Sequence, residues 1–195
     1  SAGTNMGGGV WAFTPAQISS GISFTPPSQL HGTFNMTLVS TATEAEPVGG
    51  SASNSAPVVV TVNPILDAPD LNSGSTAVNE DQTIPLGVNI DLSIADLDGS
   101  QSMEIVLTGI PAGYAPTWNN GLPGTVTNTA PGEWTITGTT AQALALLDTF
   151  ALPPITHGDA NFSVGIDVTT TEAGGATTSV SGTQSVTVSA VADAP

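Results

Sequence analysis

Val88-Asn89-Ile90-Asp91-Leu92-Ser93-Ile94 alternates apolar and polar side chains without a break. Successive side chains of a strand point to opposite faces, so this stretch makes one apolar and one wet face, which a 3.6-residue helical period would not. Met103, Ile105 and Leu107 repeat the pattern downstream, as do Phe162, Val164, Ile166 and Val168, and Val186 and Val188 close the series. Gly, Pro and Asn fall between these runs, where turns need them. Half-buried strands separated by turns predict an all-β fold, a β-sandwich of two sheets around a shared core. Thr140-Ala141-Gln142-Ala143-Leu144-Ala145-Leu146-Leu147 is the exception and reads as a helical turn.

Composition narrows the function classes. The 195 residues carry 16 Asp and Glu and no Lys or Arg, a formal charge of −16. No carboxylate can find a Lys or Arg partner, and such a surface is repelled by nucleic acid and by anionic membranes. At 39% hydrophobic and 8% charged residues, the chain still has the apolar content of a folded protein. Cysteine is absent, so an exported chain of this kind needs a stabiliser other than disulfides. No signal peptide is evident and no apolar run is long enough to span a bilayer, so the chain is expected to be a piece of a longer one.

A repeat organises the sequence. Val62-Asn63-Pro64-Ile65-Leu66-Asp67-Ala68-Pro69 returns as Val188-Ser189-Ala190-Val191-Ala192-Asp193-Ala194-Pro195, 126 positions later. Trp11 matches Trp134, and Thr14-Pro15-Ala16-Gln17 matches Thr139-Thr140-Ala141-Gln142. His31-Gly32 matches His157-Gly158, Asn35 matches Asn161, and Thr41-Ala42-Thr43-Glu44-Ala45 matches Thr169-Thr170-Thr171-Glu172-Ala173. The offsets drift between 123 and 128, as loop insertions make them do. Residues 1–10 then read as a flexible lead, 11–66 as the C-terminal half of a module and 67–195 as one complete module. Pro69 fixes its own φ and pushes Ala68 toward extended geometry, so the joint between them should be stiff.

Strand direction places the acids. If a first strand near 71–78 runs away from the leading joint, the next, 88–95, returns. It delivers Asp96-Leu97-Asp98-Gly99-Ser100 beside Asp67. The last strand, 183–190, ends at the trailing joint, so its predecessor, 161–170, brings Glu172 to the leading one. By the same parity Glu80, Asp81 and Asp159 fall beside Asp193. Two clusters result, Asp67, Asp96, Asp98 and Glu172 at one pole and Glu80, Asp81, Asp159 and Asp193 at the other. Four carboxylates without a cation repel, whereas Ca2+ accepts six to eight oxygens in loose geometry. The competing reading of Asp96-x-Asp98-Gly99 is a β-turn with solvated aspartates. Asp91, Glu104, Glu133, Asp148 and Asp167 are assigned to solvated faces and turns, and Glu44 and Glu46 to the half-module.

The order of these motifs resembles a family. Asn79-Glu80-Asp81, Asp96-Leu97-Asp98-Gly99-Ser100, Gly109-Ile110-Pro111-Ala112-Gly113 and the Asp-Ala-Pro joints look like extender modules. These are the bacterial immunoglobulin-like, cadherin-like repeats of giant RTX adhesins. The resemblance covers 67–195 whole and 11–66 in part. It implies tandem immunoglobulin/cadherin-like sandwiches, secreted to the bacterial cell surface, with Ca2+ at the joints and neighbouring modules of the same chain as partners. It assigns ligand roles to Asp67, Glu80, Asp81, Asp96, Asp98 and Asp193. Gln101 stands where the family often has Glu, and Thr33 where the other copy has Asp159.

The expected function is therefore that of a calcium-rigidified spacer that projects ligand-binding regions away from the cell, in biofilm or host attachment. The alternative is a glycan- or peptide-binding adhesion module, with Tyr114, Trp118 and Trp134 as candidate platforms and an extender split by an inserted ligand-binding domain as one form of it. An enzyme is not expected. There is no Cys nucleophile, no Lys or Arg, and His31 and His157 are repeat equivalents rather than a dyad.

Overall fold

The computed structural model describes residues 3–28, 30–45, 49–96, 99–156, 158 and 160–192. Its N-terminal part contains a small hairpin, β1 (Thr4–Gly7) and β2 (Val10–Ala12), then a short helix, α1 (Pro15–Ser19). A long antiparallel hairpin follows, β3 (Gly32–Thr43) and β4 (Ser51–Val62). Beyond the joint come β5 (Asp70–Ser73), β6 (Ser75–Asn79), β7 (Ile90–Ser93), β8 (Gln101–Thr108), β9 (Thr125–Ala130) and β10 (Glu133–Thr139). Helix α2 (Thr140–Asp148) leads into the closing hairpin, β11 (Phe162–Glu172) and β12 (Thr177–Ser189).

Residues after the joint build the all-β sandwich. One sheet has the order β6-β12-β11-β8-β10-β9, with β6 parallel to β12 and every other pair antiparallel. The two-stranded β5–β7 sheet, a 3-10 turn at Gly87–Asn89, α2 and the bridged pair Ile84 and Leu152 lie opposite it. The core fills the space between. Ile105, Leu107, Ile136, Val164, Ile166, Val168 and Val186 enter it from the sheet, and Ile84, Leu86, Leu146, Leu147, Phe150 and Leu152 from the other side. Gln101, Met103, Ile105 and Leu107 are the alternate, buried residues of β8, as a period of two requires.

Helix α2 starts where its sequence says it should. The Thr139 side chain accepts the Gln142 N–H while the Gln142 side chain accepts the Thr139 N–H, a reciprocal capping box. Ala143, Leu146 and Leu147 then fall on one face and are buried. Gly87 allows the 3-10 turn to press on this helix: a Cβ there would stand 1.6 Å from the Leu147 carbonyl oxygen.

Three expectations change. The strand expected near 71–78 is two strands, because Gly74 lets the chain leave β7 and cross to β12 in the opposite layer. Val88 belongs to the 3-10 turn and is exposed, so the second strand begins at Ile90. Helix α1, not foreseen, carries on Thr14 and Gln17 the same capping box as α2.

The element order β1-β2-α1-β3-β4 is that of β9-β10-α2-β11-β12. Glu44 N–H donates to Gly50 O and Glu172 N–H to Ala176 O, each at 2.8 Å, closing the two long hairpins alike. The first of these turns is two residues longer, which accounts for the drift in offset from 128 to 126. Phe34 pairs with Val60 as Phe162 pairs with Val186. In that register Asn35 and Asn161, matched by sequence, stand on different rungs.

Candidate functional site at the module joints

The leading pole gathers the ends of several strands. Gln101 faces Glu172 across the β8–β11 ladder, and one rung inward Thr139, Ser102 and Thr171 lie in a row. Residue Asp67 is fastened to this edge by its main chain. The buried Gln101 side chain, with its amide turned to satisfy both groups, donates to the Asp67 carbonyl at 3.2 Å and accepts from the Asp67 N–H. The Thr170 hydroxyl donates to the same carbonyl at 3.2 Å. The joint is thus clamped to the module by polar side chains, and Pro69 is buried just beyond it.

Two more acids meet this pole. Glu172 is buried, its carboxylate accepting the Ser100 hydroxyl at 3.2 Å and the Ala173 N–H at 2.8 Å. Asp96 accepts the Gly99 N–H at 3.0 Å and the Thr140 hydroxyl at 3.0 Å, which ties its loop to the start of α2. The structure therefore places Asp67, Asp96 and Glu172 at the same end of the sandwich, as strand parity requires. Asp98 lies outside the described residues.

The trailing pole is organised by one carboxylate. Glu80 is buried, and its two oxygens accept the N–H groups of Gly158 at 2.8 Å and of Val191. Its own N–H donates to Ser189 O at 2.9 Å, extending the parallel β6–β12 pairing by one rung. Asp81 follows with a φ of 64°, the left-handed conformation that Asp tolerates better than most residues, and donates its N–H to Ile155 O at 2.8 Å. Asp159 and Asp193 lie outside the described residues. The Asn161 side chain adds a further tie by accepting the Val188 N–H at 2.9 Å.

Among the described residues no three Asp, Glu, His or Cys side chains form a group that could hold a metal ion. The donor chemistry at the leading pole is nonetheless all oxygen, the kind that hard cations take. Both oxygens of Asp96 and both of Glu172 already accept hydrogen bonds from hydroxyl and main-chain donors of the chain itself. At the trailing pole both Glu80 oxygens are likewise engaged, by main-chain donors.

The candidate aromatic platforms pack against the core on one side, while Tyr114 and Trp134 also line a surface groove with Pro111 and Pro131. Trp118 stacks on buried Phe150 at 6.4 Å between ring centroids and meets Trp134 edge-on at 5.7 Å, and Tyr114 lies 6.4 Å from Phe162. All three are half-buried against the core. Asp91, Glu104, Asp148 and Asp167 are exposed as expected, and Glu133 is half-buried, accepting the Thr129 hydroxyl at 2.7 Å. Gln101, Thr170 and the inward turn of Glu80 were the parts that sequence reasoning missed. A polar residue at an inward position of an alternating strand was the available signal for the first two.

No helix among the described residues is long and apolar enough to cross a membrane. No protein-family model matches the chain, and no curated protein matches it. Among solved structures it is similar to ACE19, the collagen-binding subdomain of the Enterococcus faecalis surface protein ACE. Identity is 12%, the TM-score is 0.31, and the match covers 58% of this chain and 93% of that one. A likeness so loose bears on neither ligand nor role.

Proposed function

We propose that this chain is a spacer segment of a bacterial cell-surface adhesin, built of sandwich modules whose joints are held stiff and bind Ca2+. The division into a half-module at 11–66 and a whole module at 67–195 belongs to this reading. The observation that carries it is the clamp on Asp67, where Gln101 and Thr170 fasten the main chain of the joint to the sandwich that follows. A joint held by its backbone transmits orientation from one module to the next, which a flexible linker does not. Ca2+ would add a bridge between the Asp67 side chain and the carboxylates of the adjacent loop, and would relieve their mutual repulsion. Engagement of Tyr114, Trp118 and Trp134 in packing makes the alternative of a glycan-binding face the weaker one.

Calcium is expected to raise the melting temperature. Binding to the folded state alone at one hundred times the dissociation constant stabilises by about 2.7 kcal/mol, and extracellular sites commonly bind at ~10⁻⁴–10⁻³ M. Calorimetric titration should show Asp96→Ala weakening the ion far more than Asp91→Ala, whose carboxylate is exposed on β7. Equal losses in the two variants, or a melting temperature indifferent to EDTA, would remove calcium from the account.

A further inference from the structure

The open edge of the large sheet is β9. Among the described residues it is hydrogen-bonded to β10 alone, so its other side offers main-chain N–H and C=O groups to solvent. Proteins usually guard such an edge with charge or proline. Thr125-Val126-Thr127-Asn128-Thr129-Ala130 has neither, in a chain that carries 16 carboxylates. The pairing is irregular only near Glu133, at the far end of the strand. The Thr125 hydroxyl is bonded to Thr137 and the Thr129 hydroxyl to Glu133 and Thr135, all on the β10 side, which leaves the edge itself clear.

A groove of about 280 Å³ opens beside this strand. Its lining includes Tyr114, Trp134, Pro111, Pro131 and Asn128, so the edge and the groove share a residue. The Asn128 side-chain amide donates to Ala130 O at 3.1 Å and to Glu133 O at 3.0 Å. Both of its hydrogens are spent there, and Oδ1 is turned away from the two carbonyls as an acceptor. The prolines bring no N–H, and the Tyr114 N–H is spent on Pro111 O at 3.3 Å. Glu133, half-buried opposite Ala130, adds a carboxylate where β9 turns into β10. Aromatic rings, an oriented acceptor and a carboxylate, in a chain with no Lys or Arg of its own, are complementary to a guanidinium.

We infer that β9 and this groove receive an extended segment of a partner protein, paired to the free edge of β9 and placing an Arg side chain in the groove. Main-chain pairing gives such an addition its affinity, and the side-chain pocket gives it specificity. The aliphatic stem of the Arg lies along proline and ring surface, while its planar head stacks on an aromatic ring and donates to Asn128 Oδ1. The formal charge of −16 draws a cationic segment in and repels a second copy of this chain, which has no Arg to offer. A sugar ring also stacks on aromatic faces, but it uses neither the open strand edge nor the charge. Nothing in the inference depends on how the joints are held, so its failure would leave the spacer reading standing, and the reverse.

The probes are a short synthetic peptide of alternating Thr and Arg, capped at both ends, and the same peptide with Gln in place of every Arg. Binding is read from the amide chemical shifts of the whole chain, at low and at high salt. Shifts are expected along Thr125–Ala130 and around Tyr114, with affinity falling as salt rises. The Gln peptide should bind more weakly by about 10-fold or more at low salt. Tyr114→Leu removes a ring face and should cost the Arg peptide about 2–30-fold in affinity, whereas Tyr114→Phe keeps the face and the affinity. The shift map and the peptide pair decide the matter even where Tyr114→Leu fails to fold. Shifts spread over the acidic loops of the two poles, equal binding of the two peptides, or equal affinity of folded Tyr114→Leu and the parent overturns the inference. So does a neutral oligosaccharide that shifts Tyr114 and Trp134 where the Arg peptide does not.

Discussion

Ile166→Ala is expected to destabilise the sandwich by about 2–5 kcal/mol, the cost of emptying a packed site in a core that cannot fully collapse. Ile166 is 1% exposed at the middle of β11, opposite Leu107, and strands on both sides hold its backbone in place. Leu38→Ala, at the counterpart position in β3, should change stability by less than about 0.5 kcal/mol, as exposed positions do, because Leu38 is 53% exposed. Urea unfolding followed by the Trp118 and Trp134 fluorescence reads the difference as a shift in midpoint with little change in slope. Comparable losses from the two substitutions would mean that the N-terminal hairpin is covered as thoroughly as the closing one.

Glu80→Ala should loosen the trailing joint. Hydrogen bonds to a charged group are worth about 1.5–3 kcal/mol each, and the Glu80 carboxylate accepts two from main-chain donors while 7% exposed. Their loss frees the main chain at Gly158 and Val191. Amide exchange at Val191 should accelerate strongly, whereas exchange at Val168, in mid-sheet, should follow only the global loss of stability. Glu80→Gln should fall between, because its amide NH2 would face one of the two N–H donors. Unaltered exchange at Val191 in Glu80→Ala would show that the joint is held by something else.

The sandwich was legible in the sequence because alternation records which face of a strand is buried. β8 and β11 show this plainly, and their inward residues are the ones expected. That Asp67, Asp96 and Glu172 share one end follows from a related rule, since strand parity decides at which end a loop emerges. What the sequence hides is the direction a polar side chain takes at a strand end. Glu80 reads as a candidate ligand, yet its carboxylate turns inward to main-chain donors. Gln101 reads as a weakened ligand and instead holds the Asp67 backbone. The crossing at Gly74 was hidden too, because a strand that changes sheets keeps its alternation. The aromatic residues were ambiguous by composition: a Gly- and Pro-rich loop around Trp118 allows either exposure or packing, and the loop folds back so that the indole stacks on Phe150.

On the proposed function, the joint at 63–69 holds successive modules at a fixed angle and Ca2+ completes the hold. Small-angle scattering of the chain in calcium and then in EDTA tests it most directly. A narrow distribution of dimensions in calcium is expected, broadening in EDTA while circular dichroism shows the sheets intact. A broad distribution in both conditions would contradict the account and make the chain a flexible tandem.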